Sequence, residues 1–193
     1  MRKVERTRHR LKRGALELFV HQGISETTTR QIAAACDMSE GNIYRHFPSK
    51  EELARELLHD EMVRLATGLR GAVAVDTPFK ETVLALVRAY CRLAAEDWLG
   101  FSYHLRFQHE MLGDLTFDPQ DDPVALIRDV VEAAMQAGVI PVRPVELVIG
   151  MGLGVVMQTA LQILYGRLPE PLDDYADELA EAVWRVVGPV DAP

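Results

Sequence analysis

The residues best suited to do chemistry lie in one short segment, SEGNIYRHFPSKEEL, which starts at residue 39. When its first nine residues are placed on a helix at about 100° per residue, Ile43 and Phe47 fall one turn apart and predict the buried side. Asn42 and Arg45 fall nearly opposite. Amide and guanidinium groups can pair with base edges in the major groove of DNA, so these two residues predict base readout.

Three further residues complete this face of the short helix. Tyr44 and His46 lie on its two flanks, where they are placed to reach phosphates. Gly41 lies in the first turn, where glycine costs about 1 kcal/mol relative to alanine. A bare backbone there lets the helix approach a duplex closely, which gives the glycine a purpose. The alternative is that all of these are ordinary surface residues of a helical bundle.

A helix-turn-helix is predicted to carry this face. Thr28 and Gln31 have the capping-box spacing that begins a helix, the pair 37–38 predicts a tight turn, and Ser39 caps the short helix. The free N–H groups at the start of the first of these two helices, with the hydroxyls of Thr28 and Thr29, suit a phosphate.

The helix that follows begins with an unfavourably placed cation. Pro48 ends the short helix, and Ser49 with Glu52 has the capping-box spacing for the next one. Lys50 lies in the first turn of that helix, where a positive charge opposes the helix dipole. Stability explains it poorly, so Lys50 is predicted to contact a phosphate.

The rest of the chain also predicts helices, and no alternation typical of strands is convincing. The first helix runs from about Val4 to Gln22 and ends at Gly23, a favourable C-cap. The pair 77–78, Thr-Pro, predicts an N-cap followed by proline at the first helical position. Further helices are predicted at about 49–71, 78–96, 98–113, 122–138, 144–167 and 171–188. The fold is therefore predicted to be all-α with about nine helices, and a domain boundary between residues 68 and 77.

The charge of the chain is divided unevenly. The formal net charge is -8, yet residues 1–50 hold ten Lys and Arg against five Asp and Glu, whereas the remainder holds 11 against 24. A basic head on an acidic body indicates that one end meets a polyanion. A solvated basic helix is the alternative.

Composition and cysteine spacing indicate the class of protein. The chain has 193 residues, of which 48% are hydrophobic, so it is expected to be globular. Cys36 and Cys91 lie far apart without metal-ligand spacing, which favours a reducing compartment. The basic N-terminus is followed by no apolar signal segment. These features predict a cytoplasmic protein.

Together the motifs of residues 7–60 resemble the N-terminal domain of TetR-family transcriptional regulators. The resemblance implies a three-helix DNA-binding head, residues 1–70 with its linking helix, followed by a helical ligand-binding and dimerisation body, residues 71–193. It also implies phosphate contacts by Thr28, Tyr44, His46 and Lys50, and base-side contacts by Gly41, Asn42 and Arg45. The complete predicted DNA-binding set adds three neighbours, Thr29, Ser39 and Glu40.

Two residues depart from the family pattern. Glu40 stands where many members have a lysine or arginine, and a carboxylate is repelled by phosphates. It either complements the helix dipole or accepts a hydrogen bond from a cytosine amino group. Cys36 stands where a glycine or another small residue is usual, and it is interpreted as a small buried residue rather than a redox sensor.

Residues 147–166 contain no charge and are long enough to cross a bilayer. The polar residues within this segment and the absence of a second one favour a helix buried in a subunit interface instead. The resemblance implies the same, because the last two helices of these regulators commonly form a four-helix bundle across a two-fold axis. The predicted homodimer interface comprises Gly150, Gly154, Gln158 and Leu161.

A mixed apolar and polar helix face predicts a ligand pocket. Phe101, His104, Gln108 and Met111 recur at helical spacing, and such a face suits a small molecule bound between helices; core packing is the alternative. His104, His109 and Glu110 have poor spacing for a metal. No triad-like constellation has favourable spacing, so no catalytic residue, metal or cofactor is predicted.

The sequence thus predicts a dimeric regulator, not an enzyme, that binds a near-palindromic DNA operator. It is predicted to be a repressor released by a small molecule. Two alternatives stay open, namely a dimeric DNA-binding protein that needs no ligand, and a helical enzyme or binding module that never uses DNA. The identity of the ligand and the operator, and the choice between repression and activation, do not follow from the sequence.

Overall fold

The computed structural model describes residues 3–111, 113 and 115–189. Within them the secondary structure is helical, with nine α-helices and no strand, which confirms the predicted fold class. The helices are α1 Lys3–Gln22, α2 Thr29–Ala35, α3 Glu40–Tyr44, α4 Lys50–Arg70, α5 Phe79–Glu96, α6 Trp98–Met111, α7 Pro123–Gln136, α8 Val145–Leu164 and α9 Ala176–Val187.

The chain forms two compact units. The first comprises Met1–Glu61 and Leu99–Thr116, and the second comprises Met62–Trp98 and Phe117–Pro193. The first unit therefore contains α1 to α3, the beginning of α4 and nearly all of α6. The predicted functional domains, 1–70 and 71–193, are a different division of the chain and stay a prediction.

An aromatic core in the first unit joins α6 to α1 and α4. The ring of Tyr103 is fully buried and stacks on that of Phe19 with ring centroids 6.2 Å apart. The Tyr103 hydroxyl donates a hydrogen bond to the backbone carbonyl of Ala54 over 2.8 Å. A buried phenol needs such a partner, since an unpaired hydroxyl costs free energy in an apolar core. This core fixes the position of α4 behind the short helix α3.

The second unit packs α5, α7, α8 and α9 together, with a short 3-10 helix at Leu172–Tyr175. Hydrogen bonds from one arginine and a helix cap stabilise the second unit. Arg70 donates from Nε to the Gln120 carbonyl over 2.9 Å and from Nη2 to the Pro119 carbonyl over 2.6 Å. Asp122 caps α7 by accepting a hydrogen bond from the Val124 N–H over 2.8 Å.

Two helix starts differ from their predictions. Pro78 itself occupies the N-cap of α5, without a side-chain cap, so the assignment of Thr77 as the cap is wrong. The last helix was expected from residue 171, but the chain first forms the 3-10 turn and α9 begins only at Ala176. The sequence predicted a helix over 98–113, and the helix that the structure describes, α6, ends at Met111. Residue 112 lies outside the described residues.

Two glycines are required by close helix packing. A Cβ at Gly14 would lie 2.6 Å from the Cys36 Sγ, and a Cβ at Gly68 would lie 2.5 Å from a Leu93 methyl carbon. Cys36 is buried, and burial raises the pKa of its thiol above the ordinary value. This supports the interpretation of Cys36 as a packing residue, because the reactive thiolate form is disfavoured.

Candidate nucleic-acid interface

The short helix α3 has one buried and one exposed side. Ile43 and Phe47 are each 1% exposed, and the backbone N–H groups of His46 and Phe47 donate to the Ile43 carbonyl over 2.8 and 2.9 Å. Tyr44 is 53% exposed. The burial predicted from the wheel is confirmed, because one turn of helix is enough to separate the two sides.

Gly41 stands on the exposed side with open space around it. A Cβ added there would meet no heavy atom within 4 Å. Neither packing nor backbone conformation therefore requires a glycine, and the fold alone would be better served by alanine. Gly41 is therefore a candidate position for the close approach of a partner.

The candidate base-reading side chains are not used inside the molecule. Arg45 is exposed and Asn42 is partly exposed. Neither side chain makes a hydrogen bond or ion pair with any residue that the structure describes. Ser39 takes the N-cap position of α3 but makes no side-chain cap hydrogen bond. These polar groups remain available to a partner.

The start of α2 is fixed by the predicted capping box. The Gln31 N–H donates to the Thr28 Oγ1 over 3.2 Å, and the Thr28 N–H donates to the Gln31 Oε1 over 2.8 Å. The Thr28 hydroxyl also lies 3.0 Å from Oε1. Both residues are exposed, so the cap positions the N–H groups of α2 at the surface.

A side-chain contact joins the two helices of the motif. The Thr29 hydroxyl donates a hydrogen bond to the Glu40 carboxylate. This gives Glu40 a role that the sequence analysis did not consider, because the carboxylate links the first turn of α2 to the first turn of α3. Both residues were predicted to contact DNA, and the structure places them side by side.

Lys50 holds the turn between α1 and α2. Its ammonium group donates to the carbonyls of Ile24 and Thr27 over 2.7 and 2.8 Å, and to that of Ser25 over 3.4 Å. An ammonium group has three N–H donors, and three carbonyls surround this one. The contacts explain the cation at a helix N-terminus on structural grounds, and a phosphate would have to compete with them.

The turn that Lys50 holds also contains a buried polar side chain. Thr27 is 1% exposed, and its hydroxyl donates to the Gly23 carbonyl over 2.6 Å while accepting from the Gln22 amide over 3.0 Å. Gly23 has a φ of 92°, which favours glycine because other residues are strained there. The turn therefore sets where α2 begins.

Arg8 positions the C-terminal end of α3 and was missed by the sequence analysis. Its Nη1 donates to the His46 carbonyl over 2.7 Å, and its guanidinium lies 4.3 Å from the centre of the Phe47 ring. It also pairs with Glu56 of α4, through Nε over 3.2 Å. The basic composition of α1 was the available signal, but no local pattern separates Arg8 from its neighbours.

Glu56 receives a second cation, since the Lys12 ammonium lies 2.5 Å from its Oε1. Burial raises the pKa of this carboxyl, but the hydrogen bonds and charges of Lys12 and Arg8 outweigh it. The net effect is a pKa below the ordinary value of 4.5. Glu56 therefore stays ionised at neutral pH and holds α1 against α4 behind the recognition face.

The comparisons with known proteins cover this part of the chain. Residues 12–57 match the family model described as bacterial regulatory proteins, tetR family. The HTH-type transcriptional regulator TcmR of Streptomyces glaucescens is 53% identical over 53 residues, which are 28% of this chain and 24% of that protein. The HTH-type transcriptional repressor KstR2 of Rhodococcus jostii is 37% identical over 73 residues, which are 38% of this chain and 36% of that protein.

Residues 12–57 of the chain are therefore similar to the tetR-family regulatory proteins. The matches span 24% of TcmR and 36% of KstR2. The match to the family model contains the whole predicted DNA-binding set from Thr28 to Lys50. TcmR is described as a transcriptional regulator and KstR2 as a transcriptional repressor, and neither is described as an enzyme.

The fold likeness extends further than the sequence likeness. A solved TetR-family transcription regulator from Marinobacter aquaeolei superposes with a TM-score of 0.81, covering 98% of this chain and 100% of that one at 18% identity. At this identity the likeness concerns the fold alone. It includes the helices after residue 70, where the sequence carries no family motif.

The predicted ligand face lies within the first unit. Phe101, His104 and Gln108 are buried there, and Met111 is partly exposed. An apolar cavity lies instead in the second unit, and none of these four residues lines it. No cluster of His, Cys, Asp and Glu suited to a metal occurs in the described ranges.

The predicted dimer residues lie on one side of α8. Gly150, Gly154 and Gln158 are exposed and Leu161 is partly exposed. Leu147 and Tyr165 lie at the two ends of this side and are 52% and 58% exposed. We call these residues the outer face of α8: Leu147, Gly150, Gly154, Gln158, Leu161 and Tyr165.

Proposed function

We propose that this chain is a homodimeric, cytoplasmic transcriptional regulator that binds a near-palindromic DNA operator. We further propose that it is a repressor released by a small molecule. The observation that carries the proposal is the exposed side of α3, where a glycine with open space stands beside Asn42 and Arg45, whose side chains have no partner among the described residues.

The chemistry of this side fits the major groove. A guanidinium can bond to the two acceptors of guanine and an amide to the donor and acceptor of adenine, so Arg45 and Asn42 can each distinguish bases. Gly41 leaves room for the sugar-phosphate backbone or base edges to come close to α3. The unpaired groups would gain their hydrogen bonds on binding.

Phosphate contacts are proposed on both sides of the groove. Tyr44 is exposed and His46 partly exposed, and the hydroxyl of Ser39 makes no cap hydrogen bond. Thr28 presents the first N–H groups of α2. Glu40 and Thr29 bind each other, so their proposed contribution is to hold α2 and α3 at a fixed angle as well as to meet DNA.

The outer face of α8 is proposed to bind a second copy of this chain. In an 18-residue window of α8 with a mean hydropathy of 1.9, only 28% is buried. By length and composition alone α8 would also span a membrane, but Gln158 lies in the middle of the exposed side. Gly150 and Gly154 have no neighbour within 4 Å of an added Cβ, which leaves room for a partner helix to approach closely.

A symmetric dimer gives the short recognition helix its affinity. An isologous interface relates two copies of α3 by a two-fold axis, and two half-sites one or more turns of DNA apart then form a near-palindrome. A ligand that binds one arrangement of the dimer better than the other shifts the population and lowers DNA affinity by its differential binding energy. The cavity in the second unit supports a ligand-responsive protein over a dimer without a ligand.

The proposal is tested by fluorescence anisotropy with the DNA that flanks the gene of this protein, against scrambled DNA at several salt concentrations. Specific binding to one short near-palindrome is expected, with a steep fall in affinity as salt rises and a stoichiometry of whole dimers. Tyr44→Ala should weaken it. Arg92→Ala in α5 removes an exposed cation outside the first unit and serves as the control for a general loss of charge.

The outcome separates the proposed function from its alternatives. Absence of binding at low salt, to the flanking DNA and to a random pool of duplexes alike, would overturn the DNA-binding proposal. A catalytic or binding activity that needs no DNA and is unchanged in Tyr44→Ala would favour a helical enzyme or binding module.

A further inference from the structure

The second unit contains a cavity of about 80 Å³ between α5, α7, α8, α9 and the end of α4. Its lining consists of hydrocarbon side chains, apart from Gly152 and Tyr90. Tyr90 is 8% exposed, and its hydroxyl is the polar side-chain group of the lining. Among the described lining residues none carries a charge.

A larger residue at position 152 would reduce the volume of this cavity. A Cβ at Gly152 of α8 would lie 3.5 Å from Val187 Cγ1 and 3.6 Å from Val183 Cγ1, which are ordinary contact distances. Alanine would therefore fit without strain and would favour the helix. A cavity also weakens the folded state, because its lining loses packing contacts. Two unfavourable features at one place indicate that the space has an occupant.

The lining determines the class of that occupant. A charged group moved into a hydrocarbon environment loses its hydration and gains no partner, so charged ligands are excluded. Apolar molecules enter such cavities readily, and a cavity of about 150 Å³ lined by similar side chains takes up benzene. The space here is smaller but is partly open to the surface, so a single ring or a short alkyl chain can enter it without being wholly enclosed.

We infer that this cavity binds a small, uncharged, mainly apolar molecule, of the size of one aromatic ring or a few methylene groups, with at most one polar group directed at Tyr90. The inference rests on the proposed function only where it makes this molecule the effector that releases DNA. It places the ligand away from the α6 face on which the sequence analysis had placed it.

The position of the cavity connects it to the proposed dimer interface through one helix. Gly152 lines the cavity, whereas Gly150 and Gly154 belong to the outer face of α8. A molecule that presses on α8 at Gly152 therefore acts on the helix that the second copy is proposed to contact. This gives the ligand a physical route to the arrangement of the dimer.

The test uses three probes of nearly equal shape, namely benzyl alcohol, benzylammonium and benzoate at neutral pH. Binding to the full chain is measured as a saturable rise in melting temperature and by calorimetry. A ligand that binds only the folded state raises stability with its concentration relative to Kd. Benzyl alcohol is expected to bind, and each charged probe is expected to bind at least tenfold more weakly.

Two variants locate the binding. Gly152→Val fills the cavity from α8 and Val131→Leu fills it from α7, and each is expected to weaken benzyl alcohol binding at least tenfold while the variant still folds. Tyr90→Phe removes the polar group. It should weaken benzyl alcohol a few-fold and leave the binding of toluene unchanged.

Equal binding of the charged and uncharged probes would overturn the inference, as would the absence of binding by benzyl alcohol and toluene. Unchanged binding in both filled variants would overturn it as well. DNA binding is read separately. If benzyl alcohol binds in the cavity but does not weaken DNA binding, the proposed ligand class is supported and the proposed release of DNA by this ligand is contradicted. If the chain binds DNA and no neutral probe binds the chain, the inference about the cavity is contradicted and the proposed DNA-binding function is supported.

Discussion

The exposed side of α3 and the outer face of α8 share one backbone feature and differ in chemistry. Gly41 in α3 and Gly154 in α8 both have open space where a side chain would be. Around Gly41 the exposed residues are amide, guanidinium and phenol. Around Gly154 they are aliphatic and aromatic, with one amide at Gln158. We propose that the same absence of a side chain admits a polyanion at α3 and an apolar partner surface at α8.

The glycines of the packed interior behave differently. Gly14 and Gly68 meet Cys36 and Leu93 at distances that leave no room for a methyl group, so the fold itself explains them. We take a glycine that the fold does not need as a candidate contact for an external partner, and its neighbours as the guide to the class of that partner.

The largest expected effect is on the dimer. Gly154→Glu would place two carboxylates near the two-fold axis in an apolar interface, where unpaired charges are strongly unfavourable. We expect dimer affinity to fall at least 100-fold, about 3 kcal/mol, as measured by analytical ultracentrifugation.

Gly41→Glu is the crossed control for this prediction, because it adds the same charge to the other open glycine. It should remain dimeric and lose DNA binding. A Gly154→Glu protein that stays dimeric would end the proposed role of the outer face of α8.

The next effect concerns base recognition. Arg45→Ala should cost about 1–3 kcal/mol per half-site and relax sequence preference at one base pair. The measurement is a set of operators with each base pair changed in turn, and Arg92→Ala is the control. An equal loss on all operators would make Arg45 a phosphate contact instead.

Lys50 tests whether a family phosphate position has become structural in this chain. Lys50→Met removes three carbonyl contacts and should lower the free energy of unfolding by about 1.5–3 kcal/mol, measured by urea denaturation. Lys50→Arg keeps the charge but fits the three carbonyls poorly, so it should also be less stable. If both variants unfold like the wild type and only Met reduces the salt dependence of DNA binding, the phosphate role is correct.

Substitution by alanine should lower the free energy of unfolding at a packed glycine and raise it at an open one. Gly14→Ala should destabilise the chain by about 1–3 kcal/mol through overpacking, and Cys36→Ala in the same chain should restore part of the loss. Gly41→Ala should stabilise it by up to about 1 kcal/mol while weakening DNA binding. A Gly41→Ala variant that is both more stable and fully active would remove the functional argument for that glycine.

The smallest effect is a pH dependence of the first unit. The folded-state pKa of Glu56 is below its ordinary value of 4.5, so its contribution is present above that pH and is lost as the pH falls further. Glu56→Gln should show a shallower loss of stability below pH 4.5 than the wild type, while being less stable at neutral pH. Parallel stability curves for the two proteins would show that the carboxylate contributes nothing.

Much of the first unit was predictable because its signals are local. The capping box of Thr28 and Gln31, the helix end at Gly23 and the buried pair Ile43 and Phe47 each depend on residues within one or two turns. The N-cap at Thr77 was predicted wrongly, because the Thr-Pro pattern is compatible with proline at either of two adjacent positions.

Other contacts join residues that no local pattern connects. Lys50 reaches carbonyls 23 to 26 residues earlier in the chain, and Thr29 reaches Glu40 across the turn of the motif. Arg8 reaches His46 over a separation of 38 residues. From the sequence alone, exposure to solvent or contact with DNA would explain the polar character of each of these residues equally well.

By itself the sequence determined the helices, the family of the head and the chemistry of the α3 face, because cap residues and helical periodicity act over a few residues. The tertiary structure alone decided that α6 packs in the first unit, that Lys50 binds carbonyls and that a hydrocarbon cavity opens beside Gly152. These depend on which surfaces meet over long separations, and the free energy of burial, which selects those surfaces, is not encoded in any short segment.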